Sequence, residues 1–199
     1  MSDINRSTNT HQTRRADSVS GSAGQEAGEL RTFLIDENLG LLKQGREVIA
    51  SLSAGEYSRP LEGTRAAGTV GKHFRHVLNF YQNLCEHTEG VLNYDTRIRD
   101  PDVENRPESA LKLLGDIESM LNEWRNPGGS REQSIVIAIG NGSESMHRME
   151  SSLERELKFV LEHSLHHYAI ISMVLNSRNI PVPPEFGIAP STLAFLGRR

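Results

Sequence analysis

A chain of 199 residues carrying 22 Lys and Arg against 26 Asp and Glu, with 36% hydrophobic residues, has the composition of an ordinary soluble domain long enough to bury a core. Its basic residues form no stripe and are not interleaved with aromatics, so nucleic acid is not expected as the main partner. The single cysteine, Cys85, allows neither an internal disulfide nor a thiolate metal cluster. No apolar run reaches the roughly 18–20 residues that cross a bilayer, and the N-terminus lacks the apolar stretch of a secretory signal, so a reducing, cytoplasmic setting without membrane association is expected.

Residues 1–25 are almost wholly Ser, Thr, Asn, Gln, Gly and charge, too poor in apolar surface to offset the entropy of ordering; a disordered tail is expected there, followed by one domain over residues 26–199. Over residues 29–53, Leu30, Phe33, Leu34, Leu39, Leu41, Leu42, Val48, Ile49 and Leu52 recur at helical spacing, lightly interrupted by Gly40 and Gly45, which predicts a first helix. Residues 55–68, with Arg59-Pro60 and two glycines at the ends, read as a loop. Thr69 suits the N-cap of a second helix reaching about residue 93, its apolar face formed by Val70, Phe74, Val77, Leu78, Tyr81, Leu84 and Cys85. On that face Cys85 reads as a small buried residue rather than a nucleophile. Tyr94 to Arg99 alternates like an extended segment, and Asp100-Pro101 ends it.

Pro107 fits the first turn of a third helix over residues 108–124, whose apolar positions are Ala110, Leu113, Leu114, Ile117, Met120 and Leu121. Asn126-Pro-Gly-Gly stops it. Residues 134–149, in which Ser134-Ile-Val-Ile-Ala-Ile and Ser145-Met-His-Arg-Met flank Gly140-Asn-Gly, predict a short β-hairpin. Ser151 and Glu154 match a capping box at the head of a fourth helix running to about residue 177. Residues 180–199 are Pro-rich and irregular but apolar enough to dock on the rest. Four amphipathic segments without long strands predict an all-α fold, an up-down four-helix bundle with a short hairpin in the crossover between the third and fourth helices.

The fourth helix carries the most chemistry. Its core-facing stripe is Leu153, Leu157, Val160, Leu161, Ser164, Tyr168, Ile171 and Leu175, and at the edge of that stripe stand His167 and, slightly further round, His163. Imidazoles four residues apart lie on one helix face, close enough to grip one ion at about 2.0–2.1 Å. His166 points away and reads as a solvent-facing polar residue. A third ligand is available on the second helix, from His73 or His76; periodicity alone does not choose between them.

Thr69-Val-Gly-Lys-His-Phe-Arg-His76-Val-Leu-Asn79, followed much later by His163-Ser-Leu-His-His167, resembles the DinB/YfiT-like family of metal-binding four-helix bundles over about residues 29–179. The resemblance implies a divalent metal on three histidines, one on the second helix ahead of an apolar-polar tripeptide, here His76 before Val77-Leu-Asn79, and two on the fourth, here His163 and His167. His73 is the substitute. Three neutral imidazoles suit zinc, with nickel or iron as alternatives, and leave a position for water or substrate. What the resemblance implies for activity is a metal-dependent hydrolase or a thiol S-transferase that activates water or a low-molecular-weight thiol. The alternative is a metal-binding bundle without catalysis that serves as a binding or interaction protein. A small-molecule substrate and a homodimer are the expected partners.

Asp95, Arg97 and Arg99, alternating after the second helix, are the candidate substrate contacts, with Arg97 or Arg99 able to hold a carboxylate or phosphate; the same residues also fit a solvated strand edge. Glu156 reads as a helix-surface carboxylate near the N-terminal dipole, ahead of a role as a second acceptor or base. Tyr168 reads as core packing.

Overall fold

The computed structural model of the chain describes residues 11–60, 68–125, 134–140 and 146–197, with side chains described from residue 25 onward. The fold is mostly helical with one small sheet. Its elements in chain order are α1 (His11–Ser51), α2 (Ala54–Ser58), α3 (Val70–Glu86), β1 (Val91–Leu92), α4 (Pro101–Asn105), α5 (Pro107–Trp124), β2 (Ser134–Ile139), β3 (His147–Ser152), α6 (Leu153–Ser177) and α7 (Pro190–Phe195). The backbone of α1 reaches back to His11, inside the segment expected to be a tail, while residues 1–10 lie outside the described residues.

The helices form because their apolar residues fall on single faces, and they pack because those faces have nowhere else to go. The long helices α1 and α3 each pack against both α5 and α6. Between them lie Ile35, Leu42 and Ile49 of α1, Phe74, Leu78 and Tyr81 of α3, Leu114 and Ile117 of α5, and Leu157, Val160 and Ile171 of α6, all fully buried. Every residue of the stripe expected for the fourth helix, Leu153 through Leu175, is buried.

One polar network is enclosed in this core. Tyr81 Oη donates to Asn38 Oδ1 at 2.6 Å, and Asn38 Nδ2 donates to the Leu34 carbonyl at 2.7 Å and to the Leu157 carbonyl at 3.2 Å. Three helices are thereby tied at one level, and losing one partner would leave a buried group unpaired at a cost of about 1–3 kcal/mol. Partly buried ion pairs add two further ties from α1, Arg31 to Glu154 on α6 at 2.7 Å and Arg46 to Glu118 on α5 at 2.6 Å.

Tyr168 is the core residue on which most depends. Its ring stacks on Phe186 at 4.7 Å and meets Phe74 edge-on at 5.6 Å, so it is held from two sides. Its hydroxyl points at Gly45, where a Cβ would lie 2.1 Å from the oxygen. Glycine in the middle of α1 is thus required by close approach, against its cost to a helix of roughly 0.5–1 kcal/mol.

The sheet runs in the order β1-β2-β3, with β1 parallel to β2 (Val91 opposite Val136) and β2 antiparallel to β3 (Ile137 opposite Met149). The hairpin is present, and its turn at residues 141–145 lies outside the described residues. Several local expectations are corrected. The second helix ends at Glu86 rather than near residue 93, because Gly90 takes a positive φ of 82° and the chain leaves as β1. Strand β3 runs on through Ser152, so the cap of α6 is Ser152, which accepts from Arg155 N, and not Ser151. The loop expected from residue 55 contains α2, capped by Ser53 in a box with Glu56. Asp100-Pro101 begins a helix instead of ending a strand, with the Asp100 side chain accepting from Asp102 N. The C-terminal segment does dock, through Phe186 and Leu193, and includes α7.

Candidate metal centre

Helix α3 starts at Thr69, whose hydroxyl accepts from Lys72 N, and this cap sets the phase at which His73 and His76 leave the helix. Helix α6, started by Ser152, presents His163 and His167 towards α3. His76 Nε2 lies 2.8 Å from His163 Nε2, and His73 Nδ1 lies 3.0 Å from His167 Nδ1. One nitrogen each from His76, His163 and His167 falls within 4.8 Å of the others. Two nitrogens on a tetrahedral ion at about 2.05 Å sit roughly 3.3 Å apart, a spacing that these separations bracket. His73 is in contact with the group but outside that triplet, and His166 is exposed.

The four clustered rings are half-buried and held in neutral form. Burial, then the charge of Arg97 and the neighbouring rings, pushes His76 down to about 4. Burial and the other histidines push His167 down to about 3. His73 is lowered by burial, Lys72 and His166, and His163 by burial, His166 and Arg97. An imidazole must be unprotonated to bind a metal, so at neutral pH these rings need shed no proton to do so.

The contact of His73 with His167 bears on which nitrogen is left for an ion. With Nδ1 of His167 directed at His73, Nε2 is the nitrogen left for an ion, and in the tautomer that gives Nε2 to a metal the Nδ1–H would find its acceptor in the His73 ring. On one side the cluster is walled by Phe80, 4.4 Å from His163 and 4.8 Å from His76 between ring centres, and by Phe159, 5.7 Å from His163. Sequence reasoning passed over both phenylalanines, although Phe80 lies four residues after His76 and Phe159 four before His163, the spacing at which helix neighbours touch.

Of the three candidate substrate contacts, the structure brings Arg97 alone to the cluster. Its NH2 is 3.2 Å from His76 Nδ1 and its guanidinium lies over the Phe80 ring at 5.1 Å. Asp95 and Arg99 are exposed. The three do not alternate as expected, because residues Tyr94–Thr96 form a 3-10 turn, with Asn93 Oδ1 accepting from Asp95 N.

Glu156 departs furthest from its expected place. It is fully buried, not on the surface, and accepts hydrogen bonds from Ser151 Oγ, from Arg155 NH1 at 3.2 Å and from Tyr94 Oη at 2.8 Å. Tyr94, whose ionisation burial and Glu156 suppress, stacks on Phe80 at 5.0 Å, and its carbonyl accepts from Arg97 NH1 at 2.8 Å. A buried carboxylate on α6 thus reaches Arg97 through one tyrosine. A cavity of about 790 Å³ lies elsewhere, between α1, α6 and the start of α7, lined by Leu30, Phe33, Leu161 and Pro190 among others and by none of the histidines. Among the described residues, no helix is long and apolar enough to cross a membrane.

Comparison with known proteins adds little to this geometry. No family model matches the chain, and no solved structure does. Over 111 residues, 55% of its length, the chain is 32% identical to a protein named FK506-binding protein 5 from Rhizopus delemar, of which the match covers 28%.

Proposed function

We propose that α1, α3, α5 and α6 form an up-down four-helix bundle of the DinB/YfiT-like kind, with His76, His163 and His167 as the ligands of one divalent ion, zinc in first place. In this reading the protein is a metal-dependent hydrolase or thiol S-transferase acting on a small molecule. The observation that carries it is the convergence of three neutral ring nitrogens, from two helices remote in sequence, to within 4.8 Å of one another. Packing of α1 and α3 against both α5 and α6 supports the bundle.

An ion held there supplies positive charge that lowers the pKa of a water or thiol beside it towards neutrality. The protein's own contribution is positioning. His73 Nδ1, 3.0 Å from His167 Nδ1, would accept a hydrogen bond from the His167 Nδ1–H and leave Nε2 for the ion. Phe80 and Phe159 exclude water from one side, which strengthens electrostatic interactions within the site.

A second reading, a metal-binding bundle that performs no catalysis, draws support from the 790 Å³ cavity, because its lining includes none of the histidines. Metal analysis decides the common part of both readings. Purified protein dialysed against zinc and then against buffer should retain one ion per chain, and a protein that takes up no divalent ion ends both.

A further inference from the structure

Arg97 stands at the three-histidine cluster with three of its five N–H donors unused. Its NH1 is pinned by the Tyr94 carbonyl at 2.8 Å. Its Nε is buried and makes no hydrogen bond, and its NH2 reaches only His76 Nδ1 at 3.2 Å. Among the described residues no carboxylate comes within ion-pairing distance of it. Elsewhere in the molecule the same guanidinium edge is filled by an acid: Arg31 places Nε and NH2 on Glu154, and Arg46 places them on Glu118. An unpaired buried donor costs about 1–3 kcal/mol, so an arginine that leaves this edge without an acceptor calls for an acceptor from outside.

Charge points the same way. Burial and then the charge of Arg99 weigh on the Arg97 guanidinium, the exposed Asp95 opposes them, and Arg75, itself paired with Glu104 at 2.9 Å, adds less. Glu156 is close through Tyr94, but Arg155 already shares its charge. Three neutral imidazoles and a dication beside this guanidinium form a strongly positive site. The contact with His76 also changes character once an ion is held: a neutral imidazole that gives Nε2 to a metal carries its proton on Nδ1, so Nδ1 and the NH2 of Arg97 would then both be donors. A planar acceptor that satisfies Nε and NH2 together resolves the conflict, and a carboxylate has that shape.

We propose that Arg97 anchors the carboxylate group of a small-molecule substrate or ligand on its Nε and NH2 edge, beside the ion held by His76, His163 and His167. The proposal rests on the metal-centre reading above and adds the chemical class of what binds next to it. The Nε and NH2 donors of Arg97 lie in one plane, which a planar carboxylate matches more closely than a tetrahedral phosphate. Phe80 under the guanidinium, at 5.1 Å, fixes its plane so that the edge is already oriented before the ligand arrives.

The test uses the full chain loaded with cobalt(II), whose visible spectrum reports anions arriving at or beside the ion, with cobalt content measured on the same samples. Acetate should saturate a spectral change in the wild type. Arg97→Ala should weaken that binding at least about tenfold with cobalt content unchanged, and Arg97→Lys, which keeps the charge but lacks the two-donor edge, should weaken it nearly as much. Arg99→Ala should bind acetate as the wild type does. A wild type that holds no cobalt ends the metal centre and this proposal with it. Cobalt-loaded Arg97→Ala and Arg97→Lys proteins that bind acetate as tightly as the wild type overturn the Arg97 assignment while leaving the metal centre standing. Inorganic phosphate binding tighter than acetate, through Arg97, overturns the choice of carboxylate.

Discussion

If His76, His163 and His167 hold an ion as proposed, its binding should tolerate acid, because these histidines are depressed. Three ordinary histidines at about 6.5 would each lose roughly 25-fold in the unprotonated fraction between about pH 7 and pH 5, so a site built from them would lose on the order of four decades of affinity. Here His76 lies at about 4 and His167 at about 3, so both stay unprotonated at pH 5. His163 is lowered as well, which leaves it a loss smaller than that 25-fold. The whole site should therefore lose less than about 1.5 decades over this range. Isothermal titration with zinc in matched buffers measures it directly. A loss of three decades or more would show that the rings titrate like free histidines and that the argument from burial is wrong. The metal-free protein gives the complementary sign. Folded-state values below the unfolded 6.5 mean that the unfolded chain binds more protons, so the contribution of these rings to stability is complete above about pH 6.5 and is lost as the pH falls towards 4. Allowing for solvent screening of half-buried groups, on the order of 1 kcal/mol per ring should disappear, readable from urea melts at the two pH values.

Substitutions separate the remaining roles. His163→Ala and His167→Ala should each abolish most zinc retention, whereas His76→Ala should lower it more than His73→Ala, as read by metal analysis after dialysis; equal losses at positions 73 and 76 would contradict the assignment of His76. Gly45→Ala should destabilise the protein by about 1–3 kcal/mol in urea melts, since its Cβ would stand 2.1 Å from the Tyr168 hydroxyl. Tyr168→Phe removes a buried hydroxyl that has no partner and should be close to neutral alone. Combined with Gly45→Ala it should restore part of the loss, and strict additivity of the two would refute the contact. Tyr94→Phe should weaken acetate binding to the cobalt-loaded protein by several-fold without changing cobalt content, because Glu156 then no longer holds the turn that presents Arg97. An acetate affinity equal to that of the wild type would show that Arg97 is positioned by other contacts.

What the sequence made legible was periodicity. The stripe from Leu153 to Leu175 and the pair His163 and His167 follow from 3.6-residue spacing, which a long helix expresses without help from tertiary structure. Its limits were set where distant segments decide. Glu156 looks like a surface acid because it sits in the first turn of α6, whereas Tyr94 and the strand residue Ser151, from outside the helix, join Arg155 in supplying its donors. Likewise residues Tyr94–Thr96 read as extended until the Asn93 side chain folds them into a turn, which detaches Arg97 from Asp95 and Arg99. Short helices were missed for a different reason: α2 and α4 are five residues each, too brief to show a period, and only their caps, Ser53 with Glu56 and Asp100 before Pro101, announced them.

The small sheet gives the centre its indexing. Strand β1 follows the exit of α3, and β3 passes into α6 without an intervening loop, Ser152 being at once the last strand residue and the helix cap. Pairing of Ser134 with Ser152 therefore clocks α6 against the rest of the chain, and each residue of a helix turns it by about 100°. One residue inserted between Ser152 and Leu153 would swing His163 and His167 away from α3 while leaving every histidine in the sequence. The spacing from Ser152 to His163 is thus as much a part of the three-histidine cluster as the histidines themselves.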